Sequence, residues 1–217
     1  MSGPATGRPR LLLATRSEDK VREIREILGA AGVEVLSLRD AHVGERREEE
    51  ELEEHDSFLA NARSKADYFA RLTGLPTVAD DSGLEVLALG GQPGVRSKRF
   101  APDAARLSGK ALDAANNAEL LRRLLGAPTP RRRANYTCVA VLIRRTGGIP
   151  DAYTGRCWGY LLEAPTGTGG FGYDPLFFHE ELGKTFGEAS AEEKHRVSHR
   201  GAAFRQLAVA LAAAPLA

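Results

Sequence analysis

Cysteine is scarce in this 217-residue chain, occurring only at Cys138 and Cys157. Two widely separated thiols exclude a disulfide framework and a cysteine-built zinc site. Long apolar runs are missing as well. None approaches the roughly 18 to 20 residues of a membrane span, so no membrane is expected among the partners. The opening stretch MSGPATGRPR has no apolar signal core and predicts no export. An excess of either charge is also absent: Lys and Arg number 30 against 29 Asp and Glu, for a net charge of +1. Such balance predicts no stable, non-specific binding of nucleic acid. Taken together, the absences predict a cytoplasmic protein.

What is present is globular in character, with 42% hydrophobic and 27% charged residues. Residues 1–9 read as a disordered lead-in and 10–217 as a single domain, with no internal repeat. RLLLAT (10–15) suits a buried strand. A helix follows, with Val21, Ile24, Ile27 and Leu28 at helical spacing, Ser17 as N-cap and Gly29 or Gly32 as the stop. Residues 33–38 read as a second strand and the acidic run 45–56 as a solvated loop or helix face. A second helix runs from Ser57 to Gly74, placing Leu59, Ala62, Ala66 and Phe69 on one side and Asn61 and Lys65 four apart on another. A third covers about 113–125, with Leu120, Leu121, Leu124 and Leu125 inward. Residues 89–103 have the Gly and Pro density of a loop, and APTPRRRA reads as an exposed connector. Two strands flank TGGIP as a hairpin. With the turn centred on Gly147 and Gly148, Cys138 would face Cys157, unbonded in a reducing cytosol. A short strand, LFF, then leads into the final helices. Ser190 and Glu193 have capping-box spacing, and Phe204, Leu207 and Leu211 mark the last apolar face. Interleaved strands and helices place the chain in the α/β class.

Three constellations could carry chemistry. TRSEDK (15–20) joins a strand to a helix start, where free N–H groups and Lys20 make an anion site. Glu18 and Asp19 suit the helix dipole there, and their side chains must point away from a bound phosphate. TVADDSGLEV (77–86) sets Asp80 and Asp81 side by side at what reads as a strand end before a Ser-Gly turn. Neighbouring carboxylates repel unless a cation is near. Adjacent strand residues face opposite ways, so one aspartate faces a metal or water and the other supports it. Oxygen ligands favour Mg²⁺, to which Glu53 or Glu54 could add another. The third is GTGGFGYDP (167–175) with EEKHRVSHRG (192–201). Four glycines in six positions allow close backbone approach to a ligand. Phe171 and Tyr173 offer faces for a flat ring, and Lys194, His199 and Arg200 supply donors.

These blocks, with SFLANARSKA and LGGQPGVRSKRF, resemble in order those of the inosine triphosphate pyrophosphatases, from about Leu11 to Leu211. The resemblance implies an elongated mixed sheet flanked by helices, two lobes around a substrate cleft, and a homodimer. It implies Mg²⁺-dependent hydrolysis of ITP, dITP and XTP to the monophosphate and pyrophosphate. By matched position, Asp81 would be general base and metal ligand, with Glu53 as a second metal position, and Ser82 would contact substrate. Thr15, Arg16, Ser17, Glu18, Asp19 and Lys20 would hold the triphosphate together with Lys65. Phe171, Gly172, Tyr173 and Asp174 would form the base and sugar pocket, and Lys194, His199 and Arg200 would complete base recognition. The chain departs from the family pattern in carrying Ser17 for Asn, EEHDSF for ETG-x-[ST]-F, and Ala60 for Glu. Two other readings compete. One is a Maf-like hydrolase of another modified nucleotide, and the other is a nucleotide or RNA binder using Arg131 to Arg133 without turnover.

Overall fold

The computed structural model describes residues 7–216. Most of the expected lead-in, and the last residue, therefore lie outside the described residues. Strand β1 (Arg10–Leu13) is followed by α1 (Glu18–Leu28), β2 (Glu34–Ser37), a 3-10 helix (Arg47–Glu53), α2 (Phe58–Thr73) and β3 (Thr77–Val86). Then come α3 (Gly109–Arg123), β4 (Arg133–Ile143), β5 (Asp151–Leu161), β6 (Phe177–His179), β7 (Lys184–Thr185), α4 (Ala191–Val197) and α5 (His199–Ala213). One sheet of seven strands runs in the order β2-β1-β3-β4-β5-β6-β7. Strand β1 is parallel to both neighbours, and every later pairing is antiparallel. This is the α/β class that the sequence predicts, with the mixed sheet that the family resemblance implies. No helix among the described residues is long and apolar enough to cross a membrane.

Helix boundaries follow local chemistry. Ser17, Ser57 and Ser190 each accept from the N–H three residues on, and Ser190 and Glu193 complete a capping box. Gly74, at φ 70°, closes α2 in the left-handed region. Helices α1 and α5 cover one face of the sheet around Leu11, Leu13, Ile24, Phe204 and Leu207. Helix α2 covers the other through Ala62, Ala66 and Phe69. A separate cluster of Leu120, Leu124, Tyr136, Phe177 and Phe186 fills the antiparallel end. The two expected lobes are thus the two ends of one continuous sheet.

Several expectations need correction. Strand β3 does not end at the aspartate pair: Asp80 and Asp81 pair with Ala140 and Val139 in mid-strand, and the ladder continues to Val86. Asp, Ser and Gly favour turns locally, but ten residues of cross-strand hydrogen bonding to β4 override that preference. Leu59 is 50% exposed and Leu125 87% exposed, the first because it sits in the opening turn of α2 and the second because α3 stops at Arg123. The β4–β5 register sets Cys138 against Gly155 and Cys157 against Tyr136, so the thiols are not opposed and both are free. Arg132 is buried, donating to the carbonyls of Leu124, Leu161 and Leu162, and Arg133 lies over Trp158 and Tyr160. Only Arg131 of the run is exposed as expected, while Arg132 and Arg133 brace the sheet.

Gly155 decides how closely α5 approaches the sheet. A Cβ there would stand 2.0 Å from the His199 carbonyl oxygen and 2.6 Å from Ala203 N, both backbone atoms with little room to yield. Gly155→Ala is therefore expected to cost about 1–3 kcal/mol through overpacking. Urea unfolding checks this, and a midpoint equal to wild type would contradict it.

Candidate active site

Strand β1 stops at Leu13, while β3 meets it only at Thr77 and Val78 and runs on. Beyond that point the edge of β3 faces the loop 14–17 and the first turn of α1. The carboxyl ends of parallel strands are where α/β sheets commonly bind ligands. Ser17 Oγ accepts from Lys20 N at 3.4 Å, and Lys20 Nζ lies 3.0 Å from Asp80 Oδ2. Because Lys20 stands at the open edge, its charge acts on Asp80, Asp81 and Glu53 alike. Two aspartates on opposite faces of a strand thereby share one site.

On the α2 side, Asn61 Nδ2 donates to Asp81 Oδ2 at 2.9 Å. Lys65 Nζ donates to Glu53 Oε1 at 2.6 Å and to the Asp80 carbonyl at 2.7 Å, and lies 3.8 Å from Asp81 Oδ1. The four-residue spacing puts Asn61 and Lys65 on one face of the helix. Glu53 points into this group, whereas Glu54 is exposed. Burial raises the Asp81 pKa, with Lys65, Lys20 and the Asn61 hydrogen bond only partly opposing it. Burial also works against the charge on Glu53, but Lys65 and Lys20 outweigh it and hold the carboxyl at about 2. Asp81 and Glu53 offer hard oxygen donors, the chemistry that suits Mg²⁺. Among the described residues no three His, Cys, Asp or Glu side chains gather as a metal cage. Two carboxylates are what Mg²⁺ commonly takes when phosphates supply further oxygens.

On the α1 and α5 side, Asp80 is wholly buried and Lys20 and Arg200 overcome the burial penalty to keep it ionised. Arg200 Nη2 lies 3.5 Å from Asp80 Oδ2 and donates to Ser82 Oγ at 2.8 Å. Arg200 Nη1 donates to Glu23 Oε2 at 2.6 Å. Lys194 Nζ donates to Glu23 Oε1 at 2.7 Å and to Asp174 Oδ2 at 2.6 Å. Asp174 also accepts from Phe171 N at 2.8 Å. The half-buried Phe171 ring lies 4.7 Å from the Lys194 ammonium and 5.6 Å from the Arg200 guanidinium. A network of two ion-pair groups, Glu53–Lys65–Asp81 and Lys20–Asp80–Arg200–Glu23–Lys194–Asp174, joined by the Lys65 hydrogen bond to the Asp80 carbonyl, thus runs from Glu53 to Asp174 beside Phe171. It contains four cations, Lys20, Lys65, Lys194 and Arg200, against five carboxylates, Glu23, Glu53, Asp80, Asp81 and Asp174.

Not every residue singled out in the sequence turns into this group. Arg16 is held by Glu49 and the carbonyls of Val43 and Gly44. Glu18 pairs with Arg39 and Asp19 with Arg22, which carries both acids away as a phosphate site requires. Thr15 Oγ1 accepts from Ser17 N. Tyr173 offers no free face: its ring is buried in the antiparallel-end cluster and its hydroxyl donates to the Ser97 carbonyl at 2.8 Å. His199 is buried and stacked on Tyr136 with centroids 4.6 Å apart. Burial, Arg200 and Lys194 push its pKa well down and keep it neutral, and its Nδ1 has no hydrogen-bond partner among the described residues. The residue that the sequence reading missed is Glu23. Its signal was a charged side chain beside Ile24 and three residues after Lys20, on the face that α1 buries.

The pattern of the Ham1 family matches residues 11–210. A dITP/XTP pyrophosphatase of Thermus thermophilus is 46% identical over 198 residues, covering 91% of this chain and 89% of the relative. One of Aromatoleum aromaticum is 44% identical over 207 residues, covering 95% and 98%. Among solved structures, a HAM1 protein from Coxiella burnetii superposes with a TM-score of 0.81 at 33% identity, covering 95% of this chain and 100% of that one. With family pattern, relatives and fold in agreement, this chain belongs to the Ham1 family.

Proposed function

We propose that the chain is a house-cleaning nucleoside-triphosphate pyrophosphatase that hydrolyses ITP, dITP and XTP to the monophosphate and pyrophosphate. The observation that carries this reading is the polar network in which Asp80 joins Asp81, Glu53, Lys65 and Lys20 at one end to Arg200, Lys194 and the Phe171 ring at the other. Cations and carboxylates at one end suit a metal-bound triphosphate, and the aromatic face at the other suits a flat base.

Asp81 is the general base. Asn61 and Lys65 fix its carboxylate, and its raised pKa keeps it basic enough to take a proton from water. Water attacks the α-phosphorus, the bond to the β-phosphate oxygen breaks, and the water proton passes to Asp81. Lys20 and Lys65 offset charge on the departing pyrophosphate. The backbone of residues 15–19 and the Ser82 hydroxyl complete phosphate binding, since the side chains of Arg16, Glu18 and Asp19 are engaged elsewhere. The carboxylate excess makes the cluster a poor host for a bare polyanion, which supports Mg²⁺ dependence. Asp81 and Glu53 would hold the ion, whose chemistry when bound is to neutralise and polarise phosphate oxygens. Phe171 stacks on the base, and donors left over on Lys194 and Arg200 meet its 6-oxo group.

A 6-amino group would face those donors with a donor of its own. Each such mismatch costs about 1–3 kcal/mol, so two give ITP a preference over ATP of roughly 30-fold or more. Pyrophosphate release from ITP, XTP, GTP and ATP with Mg²⁺ tests the reading. Turnover of ITP and XTP well above ATP supports it, and equal turnover of all four, or none, refutes it. A cytoplasmic homodimer completes the proposal, and sedimentation of the purified protein checks the dimer.

A further inference from the structure

Phe171 owes its place to the residue after it. Gly172 has φ 62°, and α3 grips both of its backbone polar groups. Asp113 Oδ2 accepts from Gly172 N at 2.9 Å, and Asn117 Nδ2 donates to Gly172 O at 2.9 Å. The two side chains are four residues apart on α3, about one helical turn, so a single helix face holds the peptides on both sides of Gly172. Asn117 is buried, and its Oδ1 finds no hydrogen-bond partner among the described residues. A buried amide with one end unsatisfied adds little to stability, which leaves the grip on Gly172 as its contribution. Among the described residues, no hydrogen bond or ion pair joins Asp113 or Asn117 to Asp81, Lys20 or Lys65.

We infer that Asp113 and Asn117 form a latch that positions Phe171 as the platform for the purine ring, and so set base affinity and selectivity without touching the reacting atoms. This rests on the purine triphosphate reading above. Releasing the latch frees the two peptides flanking Gly172 to rotate and tilts the Phe171 ring away from Lys194 and Arg200. Base stacking weakens, while phosphate binding and the Asp81 proton transfer stay in place.

The test uses Asp113→Ala, Asn117→Ala and the conservative Asp113→Asn, whose amide oxygen can still accept from Gly172. Both alanine variants are expected to raise KM for ITP about tenfold, the loss of part of a base-aromatic stack, with kcat within about threefold of wild type. Their ITP-to-ATP ratio of kcat/KM should fall, and Asp113→Asn should restore KM. Hydrogen exchange at the Gly172 amide is read on the free protein and should accelerate in both alanine variants. Unchanged exchange overturns the latch, as does a parallel fall in kcat and melting temperature with KM unmoved. Should wild type turn over none of the triphosphates while exchange still accelerates, the substrate reading falls and the latch stands.

Discussion

Asp81→Asn is expected to lower kcat for ITP by about 10²- to 10⁴-fold, the usual contribution of a positioned general base. The substitution keeps the shape of the side chain, and its amide oxygen can still accept from Asn61 Nδ2, the bond seen at 2.9 Å. What it removes is the proposed acceptor of the water proton. Burial raises the Asp81 pKa against the opposing pull of Lys65 and Lys20. The wild-type rate should therefore rise with pH through a value above the ordinary 3.8 of an aspartate, and that limb should vanish in the variant. Steady-state kinetics at saturating ITP and Mg²⁺, beside a melting curve to show intact folding, would decide it. A folded variant that keeps more than a tenth of wild-type kcat would remove Asp81 from the mechanism.

Glu23→Gln is expected to cost about 3 kcal/mol of folding stability at pH 7. Glu23 lies between Lys194 and Arg200, 2.7 and 2.6 Å away. Burial penalises its charge, but Arg200 and Lys194 outweigh that penalty and lower its pKa from 4.5 to about 2. At about 1.4 kcal/mol per pKa unit this depression gives the figure above. It agrees with the lower end of what breaking a buried ion pair costs, about 3–5 kcal/mol. The direction with pH follows from the sign of the shift. A depressed carboxylate stabilises the fold fully above its unfolded pKa of 4.5 and loses that contribution as pH falls through about 2. The gap between wild type and variant should be widest at pH 7, begin to close below pH 4.5, and be about half gone at pH 3. Urea titrations at these three values measure it. A gap that stays constant with pH would show that the lost stability is not the ionised Glu23.

Much of this was legible along the chain because it is local. Ser17, Ser57 and Ser190 cap the helices that their spacing announced. Asn61 and Lys65 lie four apart on the helix and do face one site. Opposite pointing of Asp80 and Asp81 follows from the strand alone. Less legible was anything that depends on a distant partner. Turn-forming Asp, Ser and Gly gave no hint that β4 would hold β3 straight through residue 86. The β4–β5 register, on which the relation of Cys138 to Cys157 depends, is set by the whole ladder and not by the two glycines nearest the turn. Leu125 has the same side chain as Leu124 but a different fate, because α3 ends between the core and water.

By itself, then, the sequence determined the α/β class, the helix starts, the order of the motifs and the chemistry available in each. These rest on periodicity, capping and residue type, which act over a few residues. Only the tertiary structure decided which charges meet. Glu23 reaches Lys194 and Arg200 across more than 170 positions of sequence. Lys20 serves both faces of β3 because β1 stops early, and Asp113 and Asn117 on α3 find Gly172. Pairing energy depends on separation in space and on exclusion of water, and the folded chain sets both.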